Sequence, residues 1–277
     1  MISKLIHIAA KAIIAPCLIA FLTMPVTASE ATKQQYTLSM GLDLPLTLSA
    51  IATELTGSYL YSQMTRPSQM PDKSDLLPWD RPFAGRYDKN ADLASDIGAI
   101  LSVAPLAIGG IAWYSGSSNA QEFGTFSTML LQSILFQSGI NLATRSLKVW
   151  PRPYIFATEG TGKEEAKNAK GEAFGSFFSG HASAAFTIAV FTSEWYANTH
   201  SNPINTRVVT ALAYSLAGVE SVLRIAAGKH YPTDILAGAM IGTSVSYLVL
   251  WAHKKQEQNV SFWVAPNTAG ITLFFEN

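Results

Sequence analysis

Between Asp96 and Glu122, and again from Ile235 to Ala252, the chain carries no charged side chain. Stretches this long and apolar either cross a bilayer or run through a protein interior as single helices. They do not fit half-exposed strands, in which apolar and polar residues alternate. The same Ala-, Leu- and Ile-rich character marks segments 44–62, 93–114, 123–147, 181–198, 205–227 and 233–252. The expected fold class is therefore all-α, a bundle of about six helices. Asp92 before Leu93 and Thr233 before Asp234 read as helix N-caps.

Composition narrows the function classes. Of 277 residues, 48% are hydrophobic and only 14% charged, against about 25% charged in an average soluble domain. Lys and Arg number 19, as do Asp and Glu, so the net charge is zero. This excludes a disordered chain and argues against a basic nucleic-acid binder, so no nucleic-acid partner is expected. A mean hydropathy of +0.19 is high for a water-soluble enzyme and low for a transporter made mostly of spans. The single cysteine, Cys17, excludes a disulfide framework and any Cys-based zinc site.

Residues 1–28 have the plan of a secretory signal peptide. Lys4 and Lys11 precede an apolar run from Ala12 to Met24, and Val26 and Ala28 supply small residues for cleavage near Ala28. The run is short for a membrane span, and an uncleaved anchor is the alternative. The expected plan is a leader over 1–28 and one helical domain over 29–277. The expected location is the periplasmic face, associated with the inner membrane, with a soluble periplasmic protein as the alternative.

Two polar connections interrupt the helices. Met64 to Asn90 carries Pro67, Pro71, Pro78 and Pro82; Pro151 to Glu172 carries Gly160, Gly162, Gly171 and a Lys/Glu cluster. Both read as surface loops, and the second is long enough to be a lid. Near the C-terminus, Val260–Val264 and Ile271–Phe275 flank Pro266 to Gly270, the pattern of a small β-hairpin. Gly238 and Gly242 form a small-xxx-small pair suited to close helix packing. A membrane reading places Arg66, Lys73, Arg81, Arg86, Lys89, Lys163, Lys167 and Lys170 on the outer side, with chiefly Arg207, Lys254 and Lys255 opposite. That runs against the positive-inside bias, so a membrane bundle and an exported bundle with a greasy face both stay open.

Three short segments gather polar residues beside helix ends. The first, Arg145 to Pro153, places cations at and after a helix end, with Pro151 and Pro153 stiffening the chain around Arg152. Guanidinium groups bind phosphate oxygens through paired N–H donors. The second, Ser179-Gly180-His181, opens an apolar helix, where unpaired backbone N–H groups favour an anion. The third runs from Arg224 through His230 to Asp234. Glu220 lies one turn before Arg224 and could orient it. His230 and Asp234 could meet across one turn, where a carboxylate on one ring nitrogen fixes the tautomer. Taken singly, each has an ordinary reading: a solvated helix end, a Ser-capped helix start, a structural His–Asp pair. Together they suit one dianionic phosphate.

The spacings resemble the type 2 phosphatidic acid phosphatase (PAP2) superfamily, which is shared with bacterial class A acid phosphatases and vanadium haloperoxidases. The family pattern is K-x6-RP, PSGH and SR-x5-H-x3-D. It stands here as Arg145-x6-Arg152-Pro153, Ser179-Gly180-His181 and Arg224-x5-His230-x3-Asp234, within a motif core of about 140–252. Arg145 replaces the leading Lys, Phe178 the Pro of PSGH, and Leu223 the Ser before Arg224; Lys148 sits three positions too late to supply the missing lysine.

The resemblance implies a PAP2-like bundle and a phosphatase acting on phosphate monoesters or pyrophosphates, most readily of a lipid. It implies that His181 attacks phosphorus, His230 protonates the leaving oxygen and then activates water, and Asp234 holds His230. Arg145, Arg152, Arg224, Ser179 and Gly180 would bind the phosphoryl oxygens. No cofactor is implied, and three arginines argue against drawing His181, His230 and Asp234 as a metal triad. Partners would be a phosphorylated lipid or small phosphomonoester, together with a membrane. A soluble exported acid phosphatase, a vanadium haloperoxidase and a non-enzymatic membrane protein with a decayed site are the competing readings.

Overall fold

A computed structural model describes residues 35–102, 120–254, 260–265 and 268–273. Among these, seven α-helices follow one another: α1 Met40–Ser62, α2 Lys89–Ser102, α3 Ala120–Ser146, α4 Gly160–Lys167, α5 Gly180–Thr199, α6 Pro203–Ala226 and α7 Pro232–His253. The all-α bundle expected from the apolar segments is present, with α4 as an addition. The signal peptide expected over 1–28 and the stretch 103–114 of the second apolar segment lie outside the described residues.

Helix α5 is the hub, packing along α3, α6 and α7, while α1 lies on α3 and α2 on α6. Phe126, Met129 and Leu130 of α3 meet Val190 and Phe191 of α5 and Val249 and Leu250 of α7 in the main core. The α5–α7 contact depends on the small pair noted above. A Cβ on Gly238 would stand 2.5 Å from Ser179 O, and one on Gly242 would stand 2.1 Å from Ser183 O. Only glycine lets the two backbones approach this closely. The distribution of polarity is partly inverted. Gln132, Ser133, Gln137, Thr187 and Ser246 are buried, whereas Leu44, Leu48 and Leu55 of α1 and Leu236, Met240, Leu248 and Trp251 of α7 are exposed. Helices α6 and α7 are long and apolar enough to cross a membrane.

Two helix starts differ from expectation. The side chain of Asp88, not Asp92, caps α2, accepting from Asn90 N at 2.8 Å and Ala91 N at 3.1 Å. Asp92 falls inside the first turn and is available to the site. Helix α7 begins at Pro232, which suits a first helical position. Thr233 is therefore inside the helix, and Asp234 reaches back to accept from Tyr231 N at 2.9 Å.

Both connections stay largely at the surface, and parts of each pack onto the bundle. The Lys163–Lys167 run has enough helix propensity to form α4 despite Gly160 and Gly162. Tyr154, Ile155, Ala173 and Phe174 bury a satellite cluster. Backbone bonds tie Arg152 N to Ala173 O at 2.9 Å, Tyr154 N to Gly228 O at 3.1 Å and Gly85 N to Pro153 O at 2.8 Å. The loops thus close over the bundle end where α3 stops and α5 and α7 start. The hairpin forms from β1 Val260–Ala265 and β2 Thr268–Leu273, paired antiparallel with Val260 opposite Leu273. Its second strand starts at Thr268, earlier than Ile271.

Gly242→Val should force α7 away from α5 and cost about 1–3 kcal/mol, seen as a lower melting temperature in detergent. Gly124→Ala, where nothing stands within 4 Å, is the control and should not lower it. Equal melting of the Gly242→Val variant and wild type would contradict this packing role.

Candidate active site

Helix ends and the link between them bring the three predicted segments to one place. Arg145 ends α3 buried, its Nε donating to Gly175 O at 2.9 Å and its Nη2 to Glu172 O at 3.1 Å, with the guanidinium 4.6 Å over the Tyr61 ring. Arg152 stands in extended backbone before the short 3-10 turn Pro153–Phe156, and its buried Nε has no acceptor. Arg224, 4% exposed, closes α6 and turns to α2. Its Nη1 donates to Ser95 Oγ at 2.9 Å, Asp96 Oδ1 at 3.1 Å and Asp92 Oδ1 at 3.4 Å. The orienting contacts expected from Glu220 thus come from α2, and burial pushes the Glu220 carboxyl up to about 8.

The second segment caps α5. Ser179 Oγ accepts from Ala182 N at 3.3 Å, and Ser179 N donates to Asp234 O at 3.0 Å. Gly180 is required because a Cβ there would stand 2.8 Å from Asn141 Oδ1, while Asn141 Nδ2 donates to Phe178 O at 2.6 Å. The helix start adds backbone N–H groups and a positive dipole end beside the arginines. His181 follows, 36% exposed, with Nε2 3.7 Å from Asp96 Oδ1.

His230 is nearly fully buried between α6 and α7. Its Nδ1 lies 3.3 Å from Asp234 Oδ2 and 3.4 Å from Ser176 Oγ. Asp234 is itself held firmly: Oδ2 accepts from Ser176 Oγ at 2.5 Å and Tyr231 N at 2.9 Å, and Oδ1 accepts from Trp150 Nε1 at 2.9 Å. A carboxylate fixed in this way accepts a hydrogen bond from Nδ1–H and leaves the lone pair on Nε2.

Electrostatics ties the parts together. Burial first, then the guanidiniums of Arg224, Arg152 and Arg145, push the His181 imidazole down to about 3. Burial first, then Arg152, Arg224, Arg145 and His181, hold His230 well below the ordinary imidazole value. All three cations bear on both histidines, in keeping with the Ser179 N to Asp234 O and Arg145 Nε to Gly175 O bonds that draw the three segments together. Both imidazoles are neutral while the site is empty, and an anion in it would reverse part of that shift.

Several participants escaped the sequence reading. Ser176 and Trp150 hold Asp234. Asp92, Ser95 and Asp96 hold Arg224. Lys229 pairs with Asp92 at 3.0 Å and with Glu165 of α4 at 3.1 Å, over the Tyr154 ring at 4.9 Å. Lys229 stands next to His230 inside the third segment, which was the available signal. Lys148 is no substitute for a leading lysine: its Nζ donates to Thr65 O at 2.8 Å on the exposed side.

Residues 124–258 match the family model of the PAP2 superfamily. Among solved structures, the crystal structure of Aquifex aeolicus LpxE resembles the chain with 20% identity and a TM-score of 0.42, covering 62% of this chain and 92% of the other. No curated protein matches.

Asp234→Ala would leave Ser176 Oγ, Trp150 Nε1 and Tyr231 N without their acceptor, at about 1–3 kcal/mol per buried group. Denaturant unfolding should show a loss of about 3 kcal/mol or more in total. An unchanged midpoint would mean that this carboxylate does not organise the site.

Proposed function

We propose, from the PAP2 superfamily match over residues 124–258, that the chain is a phosphatase. It hydrolyses a phosphate monoester or pyrophosphate of a lipid on the extracytoplasmic side of a membrane, through a phosphohistidine. The observation that carries this is the single cationic cup, in which Arg145, Arg152 and Arg224 all act on His181 and His230. We also take 29–277 as one domain.

The geometry favours roles opposite to those expected for the two histidines. A nucleophile needs a fixed lone pair, and His230 has one on Nε2, because its Nδ1–H donates to Asp234. A general acid must exchange protons with water, and His181 is the more exposed of the two. In this reading, His230 Nε2 attacks phosphorus as the P–O ester bond breaks, and His181 gives its proton to the leaving oxygen. The cationic phosphohistidine is balanced by Asp234. His181 then takes a proton from water, whose oxygen attacks phosphorus; the P–N bond breaks and phosphate is released. The three guanidiniums and the start of α5 stabilise the charge that builds on the phosphoryl oxygens.

Membrane association is supported by exposed Leu236, Met240, Leu248 and Trp251 on α7 and by exposed leucines on α1. The second reading, a soluble exported phosphatase, is favoured by the cations in the site-side loops, which oppose the positive-inside bias. The membrane reading expects the protein in the detergent phase on phase partition; recovery from the aqueous phase would support the soluble one.

Acid-quenched reactions with labelled substrate should trap phosphate on His230 and none in His230→Ala. His181→Ala should still form phosphoenzyme from a p-nitrophenyl ester, but lose about 10²–10⁴-fold on poor leaving groups. Label on His181 would reverse these assignments. Burial and the guanidiniums lower the His181 pKa and a bound phosphate dianion raises it again, so kcat should fall as pH rises and the proton is lost. Arg152→Gln should move that alkaline limb to higher pH; a shift to lower pH would contradict it.

A further inference from the structure

The mouth of the cup holds a carboxylate that the proposed reaction does not use. Asp96 Oδ1 accepts from Arg224 Nη1 at 3.1 Å and lies 3.7 Å from His181 Nε2. One oxygen is thus shared between a guanidinium and the imidazole, as a phosphoryl oxygen in this cup would be.

Asp92 and Asp96 are not equivalent. Asp92 is 19% exposed and is also held by Lys229 at 3.0 Å, so it belongs to the frame of the site. Asp96, one turn further along the same face, is 59% exposed. Arg224, buried, and Arg152, half-buried, each keep a buried Nε without an acceptor. Buried donors are almost always paired, so these two point to an anion that the chain itself does not supply.

We propose that Asp96 is the resident anion of the empty cup, a carboxylate that the phosphoryl group must displace from Arg224, and that it sets how tightly the site holds phosphate. This rests on the phosphatase reading above. A dianion seated on Arg224 would meet Asp96 as a like charge at close range. Being exposed, Asp96 can turn to water while Asp92 and Ser95 keep Arg224 in place. Inorganic phosphate, with no other anchor, competes poorly against this internal carboxylate. A substrate also held through its leaving group displaces it more readily, and the returning carboxylate helps expel the product.

Asp96→Asn keeps the size and an acceptor but removes the charge. On the full chain in detergent, the Kd of inorganic phosphate and of vanadate, read by calorimetry without turnover, should fall about fivefold. KM for a short-chain phosphate monoester should fall with it, and kcat should not rise. Ser95→Ala, which loosens Arg224 without removing charge, should not tighten phosphate. If Asp96→Asn fails to fold, Asp96→Ser at this exposed position serves the same comparison. Equal or weaker phosphate binding in the variant overturns the inference alone, as does a fall in kcat at unchanged Kd or equal tightening by Ser95→Ala. No binding of phosphate or vanadate to any form, wild type included, overturns the phosphatase reading and this inference with it.

Discussion

Three guanidinium groups share a pocket with two imidazoles only if each cation is held against the repulsion of the others. The fold meets that constraint differently at each position. Arg145 is fastened by the carbonyls of Gly175 and Glu172 and the face of Tyr61. Arg224 is fastened by acids and a serine from α2. Arg152 is carried by a stiff backbone between prolines, and its Nε is left without an acceptor. Burial, and then crowding of like charge, keeps both histidines neutral in the empty site, which is the state a nucleophile requires.

The scaffold makes this arrangement stiff. Gly238 and Gly242 seat α7 directly on Ser179 and Ser183. The helix bearing Asp234 and the helix opening with His181 are therefore fixed at backbone contact. The loops add a second tie. Glu165 of α4 reaches Lys229, Lys229 reaches Asp92, and Asp92 reaches Arg224. The connection that reads as a lid is thus joined by charge to Arg224.

Much of this was legible in the residues. Uncharged runs revealed the helices, and Arg145, Arg152, His181, Arg224, His230 and Asp234 stood at spacings that placed them together. What escaped depended on contacts distant in sequence. Asp92 looked like a cap because nothing local showed that Asp88 would take that task, or that α6 would bring Arg224 beside α2. Ser176 and Trp150 carry no periodic or motif signal, and only the fold puts them on Asp234. The difference in burial between the two histidines, on which their proposed roles rest, was not readable either, since spacing does not carry it. Glycines in the second connection hid a helix that its Lys and Glu residues were able to form.

The central claim is that one phosphoryl-sized anion is held jointly by the three arginines with His230 at its base. An experimental structure of the protein soaked in vanadate tests it most directly. The account predicts vanadium bonded to His230 Nε2, its oxygens within hydrogen-bond distance of Arg145, Arg152 and Arg224, and Asp96 turned away. Vanadate bonded to His181, or seated away from the arginines, would contradict it.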